Sequence, residues 1–146
     1  MKDEIKEYRI FYMDGNAIKD NGTRLGTLEM LQNDFTGENW AIIPVDEVPE
    51  NWLEMTIENG ELVPALPGII KQRQQVENEQ KAALLREQRD KLLYETDKYM
   101  LPDYPITEEE REEYRLYRQY LRDFPKMTGF PNIDLLSVED YIKITD

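Results

Sequence analysis

Apolar and polar positions change rhythm once along this chain. Ile5-Lys-Glu-Tyr-Arg-Ile-Phe-Tyr-Met13 is rich in β-branched and aromatic residues, which predicts a strand. Turn signals follow at Asp14-Gly15 and Asn21-Gly22. Trp40-Ala-Ile-Ile43 reads as another short strand, closed by Pro44. Trp52–Ile57 and Glu61–Val63 flank Glu58-Asn59-Gly60 as a hairpin, because Asn-Gly supplies the positive φ angles of a tight turn. The first half is therefore expected to be a small sheet of three to five strands.

Pro64-Ala-Leu-Pro-Gly68 marks the expected boundary between domains, 1–66 and 67–146. Pro67 is suited to open a helix, since its missing N–H is not needed in the first turn. No proline or glycine interrupts Ile69 to Asp97, a span of roughly 40 Å as a helix. Lys71 to Lys81 holds a single aliphatic residue, Val76, so that stretch cannot bury a wide face. Glu77–Lys81 and Glu87–Lys91 are i,i+4 pairs that support an exposed helix. From Ala82 the pattern turns amphipathic, with Ala82, Leu85, Leu92, Leu93 and Thr96 on one stripe and Leu84 beside it. Leu101-Pro-Asp-Tyr-Pro105 breaks the helix, and Thr107-Glu-Glu-Glu110 is a capping box for the next. That second helix carries Tyr114, Tyr117, Leu121 and Phe124 on its apolar line and stops near Asp123, ahead of Pro125. Its acidic start and the arginines Arg118 and Arg122 near its end both suit the helix dipole. The predicted fold is α+β: a small N-terminal β domain, then a long helix and an antiparallel helical hairpin (about 69–98 and 107–123). An extended tail follows, ending in a turn or strand around Tyr141–Ile144.

Charge and composition narrow the functions available. The 146 residues include 31 acidic and 18 basic groups, a net charge of −13. Residues 1–66 hold 14 acidic and 5 basic groups, against 17 and 13 in residues 67–146. A pI near 4.5 opposes general attraction to nucleic-acid phosphates, and no apolar run approaches the ~20 residues of a membrane span. The charged start, Met1 to Glu7, has no apolar segment behind it, so no secretory signal is expected and the chain should act in the cytoplasm or in a particle assembled there. Cysteine and histidine are both absent, which removes disulfides, thiolate or imidazole metal sites and Ser/His/Asp or Cys/His catalysis. Only carboxylate chemistry survives, and 31 carboxylates make chance pairs inevitable. No catalytic residues, metal site or cofactor are expected. Asp14-Gly-Asn16 starts like a calcium loop, but Ile18 occupies the third ligand position, and a β-turn explains these residues better.

Recognition residues cluster in the predicted hairpin. Arg89 falls on the stripe of Leu85, Leu92 and Leu93. Either its stem packs and its head reaches water, or its guanidinium is partly buried against Asp97, Asp103 or Asp123. Tyr114, Tyr117 and Leu121 would face the first helix, while Leu116 and Tyr120 widen the apolar surface. Tyrosine and arginine are frequent in binding hot spots, so this surface is either a docking face or the packing of a helix against two neighbours. Ile69 and Val76 share a heptad position but the intervening d-type positions are polar, so a self-associating coiled coil is not expected.

Leu85-Arg-Glu-Gln-Arg-Asp-Lys-Leu-Leu93, Asp97, Leu101-Pro-Asp-Tyr-Pro105 and Thr107-Glu-Glu-Glu-Arg111 follow one another in this order. Tyr117-Arg-Gln-Tyr-Leu-Arg-Asp123 and Gly129-Phe-Pro131 complete the series, about 50 residues in all. Together they resemble the C-terminal module of bacteriophage tail assembly chaperone proteins. Tyr99 and Tyr114 stand where that family often has tryptophan, and Asn132-Ile-Asp-Leu-Leu-Ser-Val follows where it often has Trp-Pro. Residues 1–66 carry no such likeness. The resemblance implies a non-catalytic protein that binds a phage tail or tail-fibre protein while virions assemble in the host cytoplasm. Under it the partner-facing residues are Arg86, Arg89, Leu116, Tyr117, Arg118, Tyr120, Arg122 and Phe130. The residues building the hairpin are Asp90, Leu92, Leu93, Asp97, Asp103, Thr107, Glu110, Tyr114, Leu121 and Asp123. The alternative is a structural virion component, a tail or fibre adaptor that stays in the mature particle. An acidic decoy for a nucleic-acid-binding protein would need charge in regular rows, and the acidic excess shows no such periodicity.

Overall fold

The computed structural model describes residues 4–145; residues 1–3 of the charged start, and Asp146, lie outside them. The elements are β1 (Lys6–Asp14), β2 (Ala17–Gly26), α1 (Leu28–Asp34), β3 (Trp40–Pro44), β4 (Met55–Glu58), β5 (Glu61–Pro64), α2 (Pro67–Thr96), α3 (Glu108–Asp123) and α4 (Val138–Thr145). The class is α+β, as the change of rhythm predicts. The chain forms two compact units, residues 1–74 and 75–146, which divide within α2.

In the first unit β2, β1 and β3 form an antiparallel sheet in the order β2-β1-β3, and β4 and β5 form a separate two-stranded ribbon. β1 is apolar on both faces because both faces are covered. Tyr8 and Ile10 pack with Leu31 of α1, and Phe35, Trp40 and Ile42 close over them. On the other face Phe11 packs with Ile18, Ala41 and Ile57, the last from the ribbon. Asn59 and Gly60 connect β4 to β5 with φ angles of 52° and 80°, the two positive values expected of an Asn-Gly turn.

Asn21-Gly22 does not turn the chain. Arg9 pairs with Thr23 and Phe11 with Asp20, so Asn21 and Gly22 together face Ile10 as a bulge inside β2. Gly22 takes a φ of +82°, and its N–H donates to Asp20 Oδ1 at 2.8 Å. The first turns of α2 are held by Arg73. Its guanidinium donates to the carbonyls of Asn16 (2.7 Å), Leu53 (2.9 Å) and Met55 (2.6 Å).

In the second unit the capping box forms as expected. The Thr107 amide donates to Glu110 Oε2 at 2.8 Å, and the Glu110 amide donates to Thr107 Oγ1 at 3.1 Å. Tyr117, Leu121 and Phe124 are wholly buried, with Ala82 and Thr96 of α2 also inside. The end of the tail departs from the extended expectation, since residues from Val138 are helical. Ser137 caps this helix: its Oγ accepts from the Asp140 amide at 3.2 Å and donates to Asp140 Oδ2 at 2.9 Å. Among the described residues no helix is long and apolar enough to cross a membrane.

Candidate docking surface

α2 ends at Thr96, whose hydroxyl donates back to the Leu92 (2.7 Å) and Leu93 (3.1 Å) carbonyls. Arg118 of α3 adds a charged donor at the same end. Its guanidinium donates to the Leu93 carbonyl (2.6 Å), Thr96 Oγ1 (2.8 Å) and Asp97 Oδ1 (2.6 Å). A cation here also meets the negative end of the helix dipole. Arg111 does a similar job for the break between the helices. It donates to the carbonyls of Tyr99 (2.9 Å), Leu101 (2.5 Å) and Tyr104 (3.4 Å). Pro102 and Pro105 bring no amide donors to that loop, and Arg111 adds to the bonds that the Tyr104 and Ile106 amides already make to the Leu101 and Tyr104 carbonyls.

The arginine clamp therefore differs from the sequence expectation. Among the described residues Arg89 bonds only its neighbour, the mostly exposed Asp90 (2.6 Å), while Asp97 pairs with Arg118. Asp103 is exposed, and Asp123 accepts from Gln119 instead. Helical side chains lean toward the N-terminus, so Arg89 points away from the end of α2 where Asp97 lies. An arginine on the facing helix reaches that end directly.

The tyrosine stripe packs inward, beneath the tail. Tyr117 is fully buried and its hydroxyl donates to the Leu136 carbonyl at 2.9 Å. The Tyr120 hydroxyl accepts from the Leu136 amide at 3.1 Å, so one residue of the tail is held from both sides. Tyr141 of α4 stacks on Tyr120, with ring centres 5.1 Å apart. Burial pushes the Tyr117 hydroxyl up to about 12, and the neighbouring Tyr120 adds to the shift. Tyr114 stacks on Tyr99 at 3.9 Å, and burial, then Tyr99, raises it to about 12 as well. Leu92 and Leu93 are half-buried and Leu121 is wholly buried between these layers.

Of the residues expected to face a partner, Tyr117 and Arg118 are thus interior. Tyr120 and Phe130 are half-covered, Phe130 lying edge-on to Phe124 at 5.6 Å. Arg86 is exposed and sits over the Phe130 ring at 5.4 Å. Arg122 is exposed, and Leu116 keeps 52% of its surface in solvent. Leu84 at 55% and Tyr94 at 79% are exposed too, both passed over because each lies off the predicted stripe. A groove of about 390 Å³ runs between Lys81, Leu84 and Leu85 of α2 and the segment Pro131–Asp134. These side chains form an apolar, arginine-bearing surface.

Residues 82–142 match the family described as phage tail assembly chaperone protein. The match starts at Ala82, the first buried residue of the second unit, and takes in Arg118, the tyrosine layer and most of α4. It bears out the resemblance read from the sequence. The β unit lies outside the matched residues. No curated protein and no solved structure matches the chain.

Proposed function

We propose that this protein is a phage tail assembly chaperone that binds a tail or tail-fibre protein without catalysis, in the host cell, while the virion is built. The family match over residues 82–142 carries this reading. The exposed Leu84, Leu116 and Tyr94, the groove beside Leu84, and Arg86 and Arg122 are the contacts we assign to the partner. Apolar residues flanked by arginines suit a protein interface. A net charge of −13 would keep a complex with an aggregation-prone tail protein in solution.

Co-expression with the tail and tail-fibre proteins of the same phage tests the assignment. Pull-down should recover a complex, and the soluble share of the partner should rise. A partner that neither binds nor gains solubility contradicts it. Mass spectrometry of purified particles separates the transient role from an adaptor, since a chaperone should be missing from them.

A further inference from the structure

The first unit carries a pocket of about 320 Å³ lined by Gln32, Phe35, Thr36, Trp40, Ile42 and the backbone at Gly37 and Gly60. That volume is at the lower end of the range for small-ligand or side-chain sites. Trp40 is its central ring, braced by Phe35 at 5.0 Å and Tyr12 at 5.1 Å. No basic residue lines it.

Acidic residues flank the lining positions in the chain. Asp34 and Glu38 bracket the stretch from Phe35 to Gly37, and Glu58 and Glu61 bracket the Asn59-Gly60 turn. All four are exposed, and none makes an ion pair among the described residues. Glu58 and Glu61 are moreover direct cross-strand partners. Like charges placed opposite one another on a ribbon are destabilising, so a cation arriving there relieves a repulsion already built into the turn. Two of the five basic residues in 1–66, Lys6 and Arg9, are paired with Glu4 and Asp20. The four carboxylates beside the lining positions thus have no ion-pair partner among the described residues.

We propose that this pocket receives an arginine side chain from a basic segment of a partner protein. The guanidinium would lie on the Trp40 face, a favourable cation–π arrangement, with the amide of Gln32 and the hydroxyl of Thr36 as available acceptors and the four carboxylates supplying the long-range attraction. A planar cation fits better than an ammonium because it stacks on the indole while its edge donates to the Gln32 and Thr36 oxygens. This site is independent of the surface assigned on the second unit and outside the family-matched residues.

The test is an NMR titration of the full chain with a Gly-Arg-Gly-Arg-Gly peptide. The same peptide with citrulline in place of arginine, which keeps the shape and removes the charge, is the control. The expected result is saturable movement of the Trp40 indole resonance and the Thr36, Gly37 and Gly60 amides, with Trp52 unmoved. The citrulline peptide should bind at least about tenfold more weakly. The triple variant Glu38→Gln/Glu58→Gln/Glu61→Gln, all on the surface, should fold normally and weaken the arginine peptide by a similar factor. No saturable binding, movement spread over the acidic surface without Trp40, or equal binding of the citrulline peptide would each overturn the proposal.

Discussion

Arg118 of α3 holds Asp97 at the end of α2 at 2.6 Å, and the same guanidinium takes the Leu93 carbonyl and the Thr96 hydroxyl. One side chain thus closes the helical hairpin and satisfies the end of a helix. Arg118→Met would remove three hydrogen bonds from a charged donor and should cost about 1.5–3 kcal/mol, the range for hydrogen bonds to charged groups. Arg118→Lys should recover little, because an ammonium cannot span the three acceptors in one plane. Urea unfolding followed by circular dichroism measures both.

Arg89 supplies the contrast. Its partner is the adjacent, largely exposed Asp90. The Arg89 side chain is itself mostly covered, but leucine keeps an apolar stem there and the lost partner is a largely exposed carboxylate. Arg89→Leu should therefore change stability by no more than about 1 kcal/mol. A loss comparable to that of Arg118→Met would mean that the clamp has been assigned to the wrong arginine.

Leu136 ties the tail to α3 through both of its main-chain polar groups. Tyr120→Phe leaves the Leu136 amide without its acceptor, so its hydrogen exchange should accelerate while amides in the middle of α3 keep their protection. Tyr117→Phe should cost about 1 kcal/mol, the usual worth of one such bond. Unchanged exchange at Leu136 in the first variant would show that packing of Tyr141, not the hydrogen bond, seats the tail.

Alkaline pH should loosen the second unit. Tyr117 and Tyr114 ionise at about 12 in the folded protein, against about 10 in an unfolded chain. Both are neutral in either state below pH 10, so their contribution is fully present there. As pH rises from about 10 to 12 the unfolded state loses protons first, and stability falls. Thermal melts across that window should show the decline, and Tyr117→Phe should flatten it relative to the parent.

Local signals were legible and long-range ones were not. Thr107–Glu110 and Asn59-Gly60 encode their cap and their turn within a few residues, and both form as read. Asn21-Gly22 carries the same kind of signal but lies opposite Ile10, and pairing with β1 turns it into a bulge. At the other end, the alternation of Tyr141-Ile-Lys-Ile144 suggested extension, while Ser137 and Asp140 cap a helix through those residues. The arginines show the same divide. Arg89 was conspicuous because its own helix surrounds it with leucines; Arg118 and Arg111 act on acceptors 21 to 25 and 7 to 12 residues away. Periodicity placed the tyrosines on one face correctly, and only the path of the tail decides that this face is covered.

The most direct measurement is the soluble yield of the tail or tail-fibre protein when it is made together with this chain, compared for the parent and for Leu84→Glu/Leu116→Glu. Both leucines are exposed, so the variant should keep its fold by circular dichroism. The account predicts that the parent brings its partner into solution as a complex and that the folded variant loses most of that effect. Equal yields with the parent, with the variant and with no added chain would contradict it.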